Sequence, residues 1–318
     1  MKITAIMCGR PGQIGEKITR IALKAAKDEG AQVEMINLMK LDIKACVNCG
    51  SCVRKMRDPD FKGHCPLEND DMAWLDEKML ESDAILFVAP MYEAQAAGSY
   101  RIMCDRIGPS HDVTFLKQVY NERLVKGIDP EIDERWFKER PAALIAHGGS
   151  EWSYLGFPST GSPAVSMGMP IVDFLQLEWN QGIAADEERL ERVALLGKNL
   201  VLEAKKPEGH KTYHGKEGAC PVCHCGVVRI EDNGKGACAL CGAVGRLELS
   251  KDGRYILLMS EEEKKVSHML ESGRAQHMED LKNNAKVRAG LDREAIAKRF
   301  DPLNKEIPVS VPEKQAAV

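Results

Sequence analysis

Short apolar runs alternate along this chain with longer stretches of helical periodicity. Lys2–Met7 is one such run, ending in a Gly/Pro turn, and it predicts a first buried strand. From Glu16 to Glu29 the apolar positions Ile18, Ile21, Ala22 and Ala25 share one helical face. Gln32–Asn37 predicts a second strand. Asp70 and Asp71 stand before Met72, Trp74, Leu75 and Met79, the acidic opening that a helix favours. Asp83–Ala89 is the clearest strand in the sequence and ends at Pro90. Ala97–Ile107 reads as helix, Ala142–Ala146 as a fourth strand opening on Gly148–Gly149, and Ile171–Trp179 includes a fifth. Leu190, Val193, Leu196 and Leu200 mark Ala185–Ala204 as a long closing helix.

Strands and helices alternating in this order predict an α/β fold with a doubly wound, five-stranded parallel sheet. Such sheets bind ligands beyond the carboxyl ends of their strands, at the switch point. The loops Gly9–Lys17, Pro90–Gly98 and His147–Ser150 are therefore the places to look for chemistry, and the loop after strand two lies on the same rim. Gly108–Arg140 is a polar insertion between strands three and four, with a short helix expected around Glu131–Glu139. Long loops of this kind serve either as lids or as solvated connections.

Cysteine usage changes the picture most. Cys46, Cys49, Cys52 and Cys65 follow the spacing C-x2-C-x2-C-x12-C, and Pro66 follows the last. Three thiolates on one short loop, closed by a fourth beside a proline, suit an iron–sulfur cluster. A zinc site or unligated thiols are the alternatives, although zinc ribbons pair two C-x2-C knuckles. Cys220, Cys223, Cys238 and Cys241 do form such a pair, C-x2-C-x14-C-x2-C, with Gly226, Gly236 and Gly242 available for tight turns. Zinc is expected there, with rubredoxin-like iron as the rival, because the tetrathiolate is the same. Cys225 and His224 read as neighbours rather than ligands.

Eight of the 11 cysteines fall in these two groups, which points to a reducing, cytoplasmic setting rather than a disulfide framework. No apolar stretch is long enough to span a membrane, and the start of the chain is too briefly apolar for a signal peptide. A net charge of −4 gives no general attraction to nucleic acid. Near the second cluster Arg229, Lys235, Arg246, Lys251 and Arg254 alternate with Glu231, Asp232, Glu248 and Asp252, which dilutes any basic footprint. Ser260 and Glu263 have capping-box spacing. From Asp301 the chain bears proline and loses periodicity, as a disordered tail or an arm laid across a neighbour would. The expected organisation is residues 1–206 as the α/β domain, 207–250 as a zinc-ribbon or rubredoxin-like module, and 251–318 as a helical arm.

The first loop, Gly9, Arg10, Pro11, Gly12, Gln13, Ile14, Gly15, Glu16 and Lys17, joins a strand to a helix. Glycines let backbone N–H groups converge, and the helix start adds partial positive charge, so the turn suits a phosphate monoester. It has neither the dinucleotide G-x-G-x-x-G nor the GK[ST] of a P-loop.

Gly9-Arg10-Pro11 with Gly15 resembles the GSPRxxGNT phosphate loop of the NADPH-dependent FMN reductase family, within the flavodoxin-like superfamily. Ala89-Pro90-Met91-Tyr92, Arg101 and Asp105-Arg106 resemble its SPVY…K…DR signature. The first cysteine group followed by Asp70-Asp71-Met72 is similar to the iron–sulfur flavoprotein branch. Together these cover residues 2 to about 203. The resemblance implies noncovalent FMN, with its phosphate at Gly9–Lys17 and its ring near Pro90, Met91, Tyr92, Glu93, His147, Gly148 and Gly149. It implies a [4Fe–4S] cluster on Cys46, Cys49, Cys52 and Cys65. It further implies a homodimer or homotetramer that brings cluster and flavin of different subunits together. Arg10 replaces the usual serine, Gly12 the arginine, Glu16 the asparagine and Lys17 the threonine, so Arg10 or Lys17 must supply the phosphate contacts that hydroxyls give elsewhere.

The expected function is electron transfer from NAD(P)H or a ferredoxin-like donor, through FMN and the cluster, to a small-molecule acceptor. Tyr92, Glu93 and His147 are the candidates for proton transfer because their loops face the flavin edge. The rivals are an FMN reductase without a cluster and a non-enzymatic redox sensor or electron carrier.

Overall fold

In the computed structural model, residues 1–55, 58 and 61–310 are described. The elements follow in order: β1 (Lys2–Met7), α1 (Ile14–Asp28), β2 (Gln32–Asn37), α2 (Ser51–Arg54), α3 (Met72–Leu80), β3 (Ala84–Tyr92), β4 (Gln95–Ala96), α4 (Gly98–Ile107), α5 (Val113–Val125), β5 (Ala142–His147), α6 (Gly156–Ser166), β6 (Ile171–Leu177) and α7 (Glu187–Ala204). The sheet order is β2-β1-β3-β5-β6, all parallel, with β4 turned back antiparallel on β3. This is the flavodoxin-like order, and its switch point falls between β1 and β3.

Helices cover both faces, so the central strands are buried throughout: β1 from Ile3 and β5 along its whole length. On one face α1 and α7 pack closely enough that a Cβ on Gly197 would stand 2.1 Å from the carbonyl oxygen of Ala22. Ile18, Ala22, Leu196 and Leu200 close that half of the core.

The insertion after α4 differs from the expected polar connection. It carries the 13-residue helix α5, capped by Asp112, whose carboxylate accepts from the Thr114 and Phe115 N–H groups at 2.9 and 3.1 Å. Val113, Leu116 and Val119 recur every third residue and are buried, a stripe that interleaved polar residues conceal in the sequence. Only a single 3₁₀ turn, Glu134–Phe137, forms where the short helix was expected. The insertion packs on the first cysteine loop: Arg123 donates to the Phe61 carbonyl at 3.0 Å.

A second, antiparallel sheet follows, ordered β10-β9-β8-β7 from β7 (Val228–Ile230), β8 (Lys235–Cys238), β9 (Val244–Leu249) and β10 (Tyr255–Leu258). It continues past residue 250. Helices α8 (Glu261–Lys264), with the expected Ser260/Glu263 capping box, α9 (Glu271–Ala289) and α10 (Arg293–Glu306) complete the described chain. Contacts separate a unit of residues 1–276 from a second that begins at His277. Within the first, Arg274 is buried and donates to Thr114 Oγ1 at 3.0 Å, which fastens the start of α9 to α5. Contrary to the expected loss of order at Asp301, α10 runs through Pro302 to Glu306. Among the described residues no helix is long and apolar enough to cross a membrane.

Candidate functional site

The glycine turn sits where β1 hands over to α1. The Cys8 N–H continues the β1–β3 pairing to the Val88 carbonyl at 3.0 Å, and the chain then breaks away at Gly9. Gly12 has φ +73°, a left-handed conformation that glycine adopts without strain. The N-cap of α1 is Gln13, and no side chain caps its first N–H groups. Gly15 lies in the first turn, where a Cβ would stand 2.7 Å from His147 Nε2; only glycine lets the helix start lie this close to β5. Glu16 turns back on the loop and accepts from the Gly12 N–H at 2.8 Å. Its hydrogen bond with Arg20, then that N–H, holds its carboxyl below the usual range.

Beyond Pro90, β3 runs on to Tyr92 and folds back as β4, with Met91 opposite Ala96 and Tyr92 opposite Gln95. The two turn residues, Glu93 and Ala94, both have positive φ, 49° and 65°. Asn-Gly occupies such turns without strain, so Glu-Ala here holds backbone strain at the ligand-binding rim. The Ala96 N–H donates to Ser159 Oγ at 2.7 Å and fixes the hairpin to α6.

His147 ends β5 and points inward. It is 4% exposed, and burial pulls its pKa down to about 4, so the ring is neutral. The Asn180 amide donates to Nδ1 at 3.0 Å, which leaves the proton on Nε2, and that buried atom has no hydrogen-bond partner. Tyr92 and Glu93, by contrast, are exposed on the hairpin. The three proton-transfer candidates are thus divided: two stand at the open rim, and His147 supports the glycine turn from beneath.

Aromatic side chains crown the same rim, and beyond Tyr92 the sequence reading missed them. Tyr92, Trp152, Tyr154 and Trp179 are 67%, 51%, 56% and 59% exposed, and Trp152 Nε1 donates to Tyr154 Oη at 3.2 Å. Trp179 is held at φ +51° next to Asn180, whose N–H donates to the Gly148 carbonyl at 3.0 Å. Their position directly after β5 and β6 was the available signal.

The first cysteine group is loosely held. Cys46 and Cys49 are exposed, and Cys52 and Cys65 half-buried. Burial raises the Cys52 thiol, and Cys65, Cys46 and Cys49 add to the effect. One residue organises the loop. The buried Arg106 donates to Cys65 Sγ at 3.1 Å and to the Lys44 and Leu67 carbonyls, both at 2.9 Å, and forms an ion pair with Asp70. Burial pushes the Asp70 carboxyl up; Arg106 and the Met72 and Lys44 N–H groups more than reverse it. Asp71 instead accepts from the Asp42 N–H at 2.7 Å. The Asp-Asp-Met and Asp-Arg motifs therefore meet in one clamp around Cys65.

The second group is closed. Cys220, Cys223, Cys238 and Cys241 are all buried, and their sulfurs lie within 4.8 Å of one another. The pairs Cys220–Cys241 and Cys223–Cys238 are 3.7 and 3.4 Å apart. Tetrahedral coordination with bonds of about 2.3 Å places sulfurs roughly 3.8 Å apart, so the set fits one metal ion. Cys225 stays outside the group, its thiol accepting from the Val227 N–H at 3.4 Å. On the ribbon surface Arg246 pairs with Glu248 at 2.5 Å and Arg254 with Asp252 at 2.7 Å.

Residues 1–157 match the NADPH-dependent FMN reductase family. Over its whole length the chain is similar to flavone synthase cfoJ of Aspergillus candidus, 27% identical with 96% of this chain and 95% of that protein aligned. An iron–sulfur flavoprotein of Methanosarcina thermophila is 36% identical over 107 residues, 33% of this chain and 52% of that protein. The chain thus spans about half the length of that relative. A solved structure titled flavone reductase superposes with a TM-score of 0.84 at 29% identity, covering 98% of this chain and all of that one.

The residues fit FMN. The turn has an uncapped helix start, a left-handed glycine and a Cβ-free position at Gly15 above the orphaned His147 Nε2. Arg10 and Lys17 lie exposed on it, and Glu16 is paired with Arg20.

Proposed function

From a chain whose residues 1–157 belong to the NADPH-dependent FMN reductase family, we propose an FMN-dependent oxidoreductase that reduces the conjugated double bond of a flavone-type ketone. The observation that carries this reading is the reach of the likeness to the flavone reductase structure, 98% of this chain, ribbon included. Bound FMN would supply reversible two-electron hydride chemistry. The chain's residues do the rest. The Gly9–Lys17 turn holds the phosphate through backbone N–H groups, with Arg10 and Lys17 as counter-charges. The strained Glu93–Ala94 hairpin and Gly148–Gly149 frame the ring. Reducing an enone takes a hydride at one carbon and a proton at its neighbour. Tyr92 and Glu93 are the exposed titratable groups on the rim that hold this proton, and His147 positions the turn. The net change is flavone plus NAD(P)H plus a proton giving flavanone plus NAD(P)⁺.

The same reading places a [4Fe–4S] cluster on Cys46, Cys49, Cys52 and Cys65, structural zinc in the ribbon, and the protein, as a homo-oligomer, in the reducing cytoplasm. Anaerobic incubation of the holoprotein with NADH or NADPH and flavone tests the reaction, with the product read by chromatography and mass. Flavanone should form in proportion to nicotinamide oxidised. If a quinone is reduced readily and no flavanone forms, the flavone assignment is wrong and a quinone-type acceptor takes its place.

A further inference from the structure

A cleft of about 1010 Å³ lies between the outer edge of β6 and the ribbon. No strand pairs with that edge among the described residues, and the His214 N–H, bonded to the Val172 carbonyl at 2.8 Å, closes only its lower half. One wall is aromatic: Tyr154 and Phe157 from the start of α6, and Phe174 from β6. Phe157 and Phe174 lean together with ring centroids 4.4 Å apart.

The facing wall is built by the first metal knuckle. His224 directly follows Cys223, has φ +62°, and donates its N–H to the Cys220 carbonyl at 3.0 Å. Its ring stacks on Tyr213 at 4.1 Å with 1° between the planes, and Nδ1 meets Glu217 at 2.8 Å. The ring is a fixed plate rather than a mobile side chain.

Polar groups are set between the walls. Gln176 spends its amide hydrogens on Ser153 Oγ, at 3.2 Å, and Glu178, at 2.7 Å, which leaves its oxygen as an acceptor. Arg189 is anchored by Nη1 on the Glu178 carbonyl at 2.9 Å and by Nε on Asp186 at 3.1 Å, which leaves Nη2 as a guanidinium donor. An acceptor and a cationic donor between aromatic walls suit a flat ligand bearing both hydroxyl and carbonyl groups.

The cleft adjoins the flavin loops. A Cβ on Gly148 would stand 3.3 Å from the Ser153 Cβ and 3.6 Å from the Met91 Cβ, and Ser153 in turn accepts from Gln176, which lines the cleft. Tyr154, on the aromatic rim, stands at the mouth.

We propose that this cleft is the acceptor site, taking a planar, hydroxylated aromatic ketone, and that the ribbon serves as its second wall. The acceptor's chemical class rests on the function proposed above; the location rests on the cleft alone.

Titration of the anaerobic holoprotein with a hydroxylated flavone, read by quenching of Trp152 and Trp179 fluorescence, tests it. Tyr154→Ala changes an exposed side chain, and His224→Asn keeps a residue that tolerates positive φ. Each should weaken flavone binding about tenfold, the loss expected when one aromatic face is removed. Tyr255→Ala, on another face of the ribbon, should bind as the parent does. Metal content confirms that His224→Asn keeps its ribbon. Parental flavone affinity in both cleft variants overturns the location, even if flavanone is formed. Weakened binding without flavanone formation keeps the cleft and removes only the proposed reaction.

Discussion

The two four-cysteine groups share a ligand type and differ in almost everything that determines how a site is built. The ribbon thiols are buried, converge within 4.8 Å and sit on two hairpin knuckles of a continuous sheet. The Cys46–Cys65 thiols are half-buried or exposed, on a loop that among its described residues carries the four-residue helix α2. Four buried thiolates repel one another, so the ribbon's packing suits a bound cation. The first loop instead borrows its order from Arg106. The ribbon's geometry therefore fits a single ion, whereas the first loop's thiols stand more open to solvent.

The largest expected effect follows from that contrast. Replacing Cys223 with Ser should abolish stoichiometric metal binding and unfold the module, since a structural metal such as zinc contributes on the order of 10 kcal/mol to such folds. Hydrogen exchange should show protection lost over β7–β10 and kept over β1–β6. Full protection of the ribbon in metal-free protein would contradict it.

Arg106→Met is the corresponding cut in the first loop. Asp70 and the loop carbonyls lose their partner in a buried setting, so unfolding by urea should show a loss of about 3–5 kcal/mol. Iron and acid-labile sulfide should fall together, while ribbon zinc stays at parental content. Retention of both by the variant would mean that the clamp does not organise the cluster loop.

What could be read in advance divides along the same line. β1 and β2 match their expected bounds: β1 is a short, continuous apolar run, as a buried parallel strand is, and in the edge strand β2 a polar residue precedes each of apolar Val33 and Met35. The ribbon was legible because the spacing of its ligands is its structure. Helix α6 was not anticipated: Gly156, Pro158, Gly161 and Pro163 are all poor helix formers, and it is held by packing, with Phe157, Thr160 and Ala164 buried. At the site, the glycine turn announced itself, but the direction of His147 did not. A histidine that ends a strand faces outward or inward according to register, and only the fold shows Gly15 above it. The Arg106 clamp was hidden for a related reason, as its partners are up to 62 residues away in sequence.

His147 gives the smallest effect and the sharpest separation of the two regions. Its folded pKa is about 4, against an ordinary value of 6.5, so between those pH values the unfolded chain takes up a proton that the folded core refuses. Stability from this group is complete above pH 6.5 and is lost as pH falls toward 4, by on the order of 3 kcal/mol. His147→Asn retains a polar partner for Asn180 and cannot titrate, so it should lower stability by a constant amount and flatten this acid limb. The ribbon also weakens in acid, for a different reason: protons compete with the metal for thiolates. A chromophoric chelator reads metal release, and far-ultraviolet circular dichroism reads unfolding of the sheet. In the variant the acid dependence of unfolding should flatten while that of metal release stays as in the parent. An unchanged acid limb would mean that His147 is not the buried, neutral support of the glycine turn.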